Sequence, residues 1–107
     1  MDSSEYVRRV LDAYRATPGT CGAIRKPDRL FAWQLFARGV PLAVVENAFV
    51  VACARRLARP AGAAPLGVIR SLAYFSPVID EVLELRVGDA YFQHLRQRLS
   101  RILRQPL

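Results

Sequence analysis

The sequence predicts an all-α fold, a compact bundle of four to six helices around a central buried helix at about residues 41–58. Apolar residues recur at helical spacing in most segments, and no segment shows the sustained alternation of a β-strand. Proline and glycine fall between these segments, where helices begin and end. Apolar residues make up 52% of the 107 residues, which is enough for one core, so residues 1–107 are expected to form a single domain.

The first predicted helix is capped by Ser3 or Ser4 and runs to about Arg15. Its apolar positions share one side of the helix and are Tyr6, Val10, Leu11 and Tyr14. Residues 17–26 contain a proline and two glycines and are expected to form a loop.

Two helices separated by a short turn are predicted next. Pro27 suits the first turn of a helix that ends near Arg38. The residues that this helix is expected to bury are Leu30, Phe31, Trp33 and Leu35. Gly39 is placed for a left-handed C-cap, and Pro41 opens the third helix, which is apolar nearly all round and runs to about Ala58. We therefore expect the other helices to pack on it.

The last third of the chain is predicted to hold a connection and two further helical segments. Residues 59–67 are rich in proline, glycine and alanine and are expected to be a loop. Residues 68–85 are predicted to be helical with a break near Ser76, which can cap a new helix before Pro77. Gly88 is expected to end that helix, and Asp89 to cap the last one. The apolar stripe of the last helix is predicted to be Tyr91, Leu95, Leu99 and Ile102.

The charge balance indicates an acidic partner. Sixteen basic residues against nine acidic ones give a net charge of +7 and a pI of about 10.4, and a positive field of this kind attracts phosphates. All the basic residues except Lys26 are arginines, whose guanidinium groups bind phosphate bidentately and stack on bases. A coding bias of the genome would also explain arginine over lysine, but it would not explain the net charge.

The basic residues form three clusters, which are the candidate nucleic-acid-binding sites. The first is Arg25, Lys26 and Arg29; the second is Arg55, Arg56 and Arg59; the third is Arg96, Arg98, Arg101 and Arg104. A stripe of this kind on a helix can follow a phosphate backbone. Arginines near a helix C-terminus also complement the helix dipole, which accounts for part of the placement.

Catalytic and metal-binding patterns are weak. His94 has no carboxylate at i±3 or i±4. Asp80, Glu81 and Glu84 are interpreted as a solvated or arginine-pairing face near a helix start. The two cysteines are too far apart for a zinc motif. We therefore expect a protein that is not an enzyme, with no cofactor and no metal. Without a membrane span or a signal-like N-terminus, it is expected to be soluble and cytoplasmic.

Two segments resemble a known family. The first has the sequence RGVPLAVVENAF from Arg38, and the second has IRSLAYFSPVI from Ile69. Together they resemble the helical, DnaD-like domain of bacterial and phage primosome and replication-initiation proteins, over about residues 35–85. In the family's Tyr-x-x-x-Ile motif, Tyr74 matches the tyrosine and Val78 stands in the place of the isoleucine. The resemblance implies that Tyr74 and the helix after it lie near a DNA-binding surface.

The resulting expectation is a non-catalytic nucleic-acid-binding accessory of replication, mobile-element or defence machinery. One alternative is a small helical subunit of an RNA-guided, CRISPR-type effector complex. Another is a protein-interaction module that docks on an acidic partner through exposed aromatic residues such as Trp33, Phe36 and Tyr91. The choice between DNA and RNA, the number of strands, self-association and a larger protein assembly stay open at this point.

Overall fold

A computed structural model describes the backbone of residues 1–104, together with the side chains of residues 1–86 and of His94, Gln97, Arg98 and Arg101. In these residues the helices are α1 (Ser3–Ala16), α2 (Lys26–Ala37), α3 (Leu42–Leu57), a 3-10 turn (Leu72–Phe75) and α4 (Ser76–Arg104). The described part of the chain contains no strand, only an isolated bridge between Thr20 and Ile69. The predicted all-α fold is confirmed.

Helix α1 begins after Asp2, whose side chain accepts a hydrogen bond from the amide of Glu5 at 2.8 Å. The predicted cap at Ser3 or Ser4 is therefore wrong. Asp and Ser cap helices about equally well, so the neighbouring candidates could not be separated by residue type. The apolar stripe is confirmed, because the residues that α1 buries are Tyr6, Val10, Leu11 and Tyr14.

Helix α2 turns Leu30 and Trp33 outward, which corrects the prediction that it buries them. The residues that α2 does bury are Asp28, Ala32 and Leu35. At about 100° per residue these three share one face of the helix, and Leu30 and Trp33 lie on the opposite side. Their exposed fractions are 58% and 53%. After the helix, Gly39 has a φ of +74°, the left-handed conformation predicted for it.

Helix α3 lies in the middle of the fold and packs against α1, α4 and the 3-10 turn. The residues that it buries are Val44, Val45, Ala48, Phe49 and Ala52. Its other side is also apolar but faces outward, since Val50 is 67% and Leu57 82% exposed. The composition of α3 predicts burial on all sides. In the structure only one face of the helix is buried.

The connection between α3 and α4 is exposed over residues 58–68 and becomes buried at Ile69. The amide of Ile69 donates to the carbonyl of Gly19 at 2.8 Å, and its carbonyl accepts from the amide of Cys21 at 2.9 Å. The sequence predicts helix from residue 68, but this long-range pairing keeps residues 68–71 extended. The predicted break near Ser76 is confirmed, because the 3-10 turn gives way to α4 there.

Helix α4 is one helix of 29 residues, which corrects the predicted end at Gly88 and the predicted cap at Asp89. One glycine inside a helix costs only about 1 kcal/mol relative to alanine, so it does not end the helix by itself. The predicted stripe of Tyr91, Leu95, Leu99 and Ile102 lies outside the described side chains. Of the helices in the described range, none combines the length with the apolar content that a membrane span needs.

The elements share one core, whose centre is aromatic. The rings of Phe49 and Phe75 lie 4.8 Å apart, and the ring of Tyr14 lies 6.5 Å and 6.1 Å from them. These side chains come from α3, the 3-10 turn and α1, so the cluster joins three elements. At the other end of α1, Tyr6 packs on Phe36 of α2 at 5.3 Å. Because Tyr6 lies near the start of α1 and Phe36 near the end of α2, the two helices run antiparallel.

Replacing Tyr14 by Phe is expected to leave the free energy of unfolding unchanged or to raise it by about 1 kcal/mol. The Tyr14 hydroxyl is buried without a hydrogen-bond partner among the described residues, and burial raises its pKa to about 12. Tyr6→Phe is the matched control. The Tyr6 hydroxyl donates to the carbonyl of Val40 at 2.7 Å, so its loss should cost about 1 kcal/mol. Urea unfolding measures both variants, and equal losses would mean that the Tyr14 hydroxyl is hydrogen-bonded.

Candidate functional site

The first predicted cluster, Arg25, Lys26 and Arg29, is exposed at the start of α2. None of the three forms an ion pair with a described residue. Asp28 lies buried among them, and its carboxylate accepts hydrogen bonds from the amides of Arg25 and Leu72, both at 2.9 Å. The start of α2 is thereby held against the segment before the 3-10 turn, while the three cationic side chains stay accessible.

The second predicted cluster is largely bound to the protein itself. Arg55 forms two hydrogen bonds to the carboxylate of Glu81 on α4, at 2.8 and 2.5 Å, and this pairing lowers the pKa of Glu81. Arg56 donates to the carbonyl of Gly67 at 2.9 Å. Arg59 is exposed and forms no ion pair with a described residue. The cluster therefore ties α3 to α4 and to the connecting loop through Arg55 and Arg56, and Arg59 is its exposed member with no described ion-pair partner.

Tyr74, which the family resemblance implicates, is exposed beside Arg56. Its hydroxyl lies 3.2 Å from a guanidinium nitrogen of Arg56 and accepts a hydrogen bond from it. The guanidinium carbon lies 5.9 Å from the centroid of the Tyr74 ring, a distance at which a cation and an aromatic face attract each other. The structure thus brings together two predicted site residues that are 18 positions apart in the sequence.

The third predicted cluster lies on the second half of α4. Arg98 and Arg101 are exposed there, as is His94, and the side chains of Arg96 and Arg104 lie outside the described residues. At about 1.5 Å per residue, Arg98 lies about 28 Å along the helix from Ile79, the last fully buried residue described. Every described side chain of α4 from residue 84 onward is exposed. This cluster is therefore separated from the core.

The acidic residues at the start of α4 serve mainly as partners of arginines. Asp80 lies 3.3 Å from Arg38, and Glu81 pairs with Arg55 as described. The interpretation of Asp80, Glu81 and Glu84 as a solvated or arginine-pairing face is confirmed, because the first two pair with arginines and Glu84 is exposed. Within the described residues, no group of three His, Cys, Asp or Glu side chains could hold a metal ion.

Helices α1 and α2 enclose a groove of about 510 Å³ that the sequence did not predict, here called the α1–α2 groove. Its lining includes Arg8, Asp12, Arg15, Ile24, Arg29 and Trp33. Arg8 and Arg15 are seven residues apart and therefore lie on the same side of α1, two turns from each other. Arg29 faces them from α2, one turn before Trp33. The groove thus joins part of the first predicted cluster to two arginines of α1.

The α1–α2 groove is positively charged, with three guanidinium groups against the single carboxylate of Asp12. Arg8 lies 4.0 Å from Asp12, but both side chains are mostly exposed, and an exposed pair of this kind is weak. Arg15 and Arg29 form no ion pair with a described residue. All three arginines are exposed to solvent, so each can contact an external anion.

A further arginine that the sequence clusters left out lies near the start of α2. Arg70 is exposed and comes two residues before Leu72, whose amide donates to Asp28. The segment that carries Arg70 therefore lies against the first turn of α2, close to the first cluster. Arg25 and Arg70 are 45 positions apart in the sequence, so no local sequence pattern shows that they are neighbours.

A second groove, of about 520 Å³, is apolar and lies between the end of α1 and the outer side of α3. Its lining includes Ala13, Ala16, Pro18, Val50, Cys53 and Leu57. It contains one acidic residue, Glu46, and no basic one. It therefore differs in chemistry from the α1–α2 groove and does not attract phosphate.

Comparison with protein-family models, with curated proteins and with solved structures returned no match for this chain.

Proposed function

We propose that the protein is a non-catalytic nucleic-acid-binding accessory that contacts the phosphate backbone through the α1–α2 groove and the arginines beside it. The observation that carries the proposal is the convergence of Arg8, Arg15 and Arg29, from two helices, on one groove that also exposes Trp33. Positively charged grooves with aromatic side chains are the usual means by which proteins hold nucleic-acid strands. The net charge of +7 attracts the same partner from a distance.

The exposed cations at the start of α2 extend this surface. Arg25 and Lys26 precede the groove residue Arg29, and Arg70 lies on the neighbouring segment. A strand leaving the groove would meet these side chains next. Arg55 is the predicted site residue least suited to contact, because its guanidinium is already paired with Glu81.

Binding is expected to weaken steeply with salt. Each neutralised phosphate of a single strand contributes about 0.7 to the slope of log K against log salt, so three contacts weaken binding about twentyfold between about 50 and about 200 mM salt. Fluorescence anisotropy of a labelled random oligonucleotide measures this slope. No binding even at low salt would contradict the proposal.

A triple variant, Arg8→Gln with Arg15→Gln and Arg29→Gln, is expected to lower the salt slope by about 2 and to weaken binding at least tenfold. The matched control is Arg9→Gln with Arg38→Gln and Arg55→Gln. It removes the same charge from arginines that are paired with Glu5, Asp80 and Glu81. Equal losses in the two variants would mean that overall charge, and not the groove, governs binding.

The α4 arginines need a separate variant, Arg98→Gln with Arg101→Gln and Arg104→Gln. We expect it to weaken binding less than the groove variant does, with the helical circular dichroism unchanged. A complete loss of binding in this variant alone would move the site to α4.

A second candidate function, a module that docks on an acidic protein segment, is favoured by the same exposed Trp33. The two candidates separate by competition. An unlabelled oligonucleotide should displace the labelled one at least tenfold more effectively than polyglutamate of the same charge. Stronger displacement by polyglutamate would favour the interaction module.

The biological setting is proposed from the resemblance of residues 35–85 to DnaD-like helical domains, namely replication, mobile-element or defence machinery. A subunit of an RNA-guided effector complex would use the same phosphate contacts. Such a subunit should bind single strands poorly when it is alone and should copurify with larger partners.

A further inference from the structure

Trp33 is an exposed tryptophan in a positively charged groove. It is the only tryptophan of the chain, and 53% of it is accessible, whereas four of the seven other aromatic side chains that the structure describes are buried. Its helix could have buried it by a rotation of about 140°, the angle between Trp33 and the face of Asp28 at about 100° per residue. The indole instead lines the α1–α2 groove.

The cations around Trp33 suit the backbone that accompanies a base. Arg29 lies one helical turn before Trp33, and Arg8 and Arg15 line the opposite wall of the groove. Stacking on an aromatic ring holds a base without reading its identity, while guanidinium groups form bidentate hydrogen bonds to the phosphates on either side. The volume of about 510 Å³ falls in the range of sites that enclose small organic ligands.

The chemistry of stacking indicates whether the bound nucleic acid is single-stranded or double-stranded. Inside a duplex both faces of each base are covered by neighbouring base pairs, so away from the duplex ends a tryptophan side chain can stack only on an unpaired base. Phosphate contacts by themselves make no such distinction.

We propose that Trp33 is a stacking platform for an unpaired base, with Arg8, Arg15 and Arg29 binding the flanking phosphates, so that the protein prefers single-stranded to double-stranded nucleic acid. This inference rests on the proposed function and specifies its ligand. It is distinct from phosphate binding as such, which would survive without the ring.

The single tryptophan makes the test direct. The full chain is titrated at low salt with a ten-nucleotide oligothymidylate and, at equal nucleotide concentration, with a long duplex whose end pairs are a small fraction of its bases. The indole emission of Trp33 should be quenched by the single strand and should change little with the duplex. Inorganic polyphosphate is the phosphate-only probe, and it should compete with the oligothymidylate without quenching Trp33.

Variants on the exposed face of α2 distinguish the contribution of the Trp33 ring to binding from that of the positive charges. Trp33→Leu should weaken binding of labelled oligothymidylate about tenfold and leave duplex binding unchanged. Trp33→Phe keeps an aromatic face and should recover most of the affinity. Leu30→Ala, on the same exposed face of α2, is the matched control and should bind like the wild type. Because both positions are exposed, circular dichroism should show intact helices in all three variants.

The outcomes distinguish the two proposals. Salt-dependent binding that does not distinguish single strand from duplex, with Trp33→Leu binding like the wild type, would overturn the stacking platform and leave phosphate binding standing. Failure of every oligonucleotide to bind at low salt would overturn the proposed function itself.

Discussion

Phe75→Ala is expected to lower the free energy of unfolding by about 4 kcal/mol. Phe75 is fully buried in the 3-10 turn, where its ring packs on Phe49 at 4.8 Å and on Tyr14 at 6.1 Å. Truncation removes the apolar area of the ring and leaves a cavity that the packed neighbours on α1 and α3 fill only in part. The 3-10 turn has four residues and buries Leu72 and Phe75, so its position depends on this ring together with Leu72.

The measurement is urea unfolding followed by circular dichroism, with Tyr74→Ala as the control. Tyr74 is the preceding residue and its ring contacts Phe75 at 5.2 Å, but it is exposed, so its truncation should cost no more than about 1 kcal/mol. A loss below about 2 kcal/mol for Phe75→Ala would mean that the aromatic cluster is not the centre of the core. At temperatures where the variant stays folded, oligonucleotide binding should change little, since none of the three rings lines the α1–α2 groove.

Helical periodicity predicted the fold because it depends on neighbouring residues only. The stripe of Tyr6, Val10, Leu11 and Tyr14 was recognisable, since a face apolar at positions i, i+4, i+5 and i+8 has one way to meet a core. The left-handed conformation of Gly39 was equally predictable, because a glycine between two helical segments suits a left-handed cap.

The periodicity failed in α2, where two sets of apolar residues compete for the core. Leu30 and Trp33 lie on one face, and Ala32 and Leu35 on the other. The larger side chains predict the wrong face. Asp28 determines which face of α2 is buried. It shares a face with Leu35, and its carboxylate accepts hydrogen bonds from amides inside the fold. A buried carboxylate is rare enough that the sequence favours its exposure.

Only the part of the candidate site that is contiguous in the sequence could be predicted. Arg25, Lys26 and Arg29 are neighbours in the sequence and were found, whereas Arg8 and Arg15 join them only when α1 and α2 pack antiparallel. Their spacing of seven on one face of α1 was the available signal. Conversely, Arg55 was assigned to the site because nothing local shows its pairing with Glu81, 26 residues away.

Asp28→Ala is expected to lower the free energy of unfolding by about 3 kcal/mol, a loss that few substitutions of polar residues reach. Asp28 is 2% exposed, and its two carboxylate oxygens accept the amide hydrogens of Leu72 and Arg25. Alanine leaves the Leu72 amide buried without an acceptor and removes an acidic residue from the first turn of α2, where it complements the helix dipole.

Two further variants define the origin of that loss. Asp28→Asn keeps one oxygen acceptor but places an amide group where the second acceptor was, so its stability should fall between those of the wild type and Asp28→Ala. Asp12→Ala removes the same charge from an exposed position on α1 and should change stability by less than about 0.5 kcal/mol. Thermal or urea unfolding measures all three, and an Asp28→Ala variant as stable as Asp12→Ala would contradict the role assigned to the carboxylate.

Asp28→Ala also tests whether oligonucleotide binding depends on where α2 places its arginines or only on the net charge of the protein. Removing an acidic residue raises the net charge to about +8, which by long-range attraction alone strengthens binding to an oligonucleotide. Asp28, however, holds the first turn of α2 against the segment of Leu72, and that turn carries Arg25, Lys26 and Arg29. We therefore expect Asp28→Ala to bind the oligonucleotide more weakly than the wild type, and Asp12→Ala to bind it more strongly. Stronger binding by both would mean that the arginines act through their total charge and that their placement by α2 has no part in recognition.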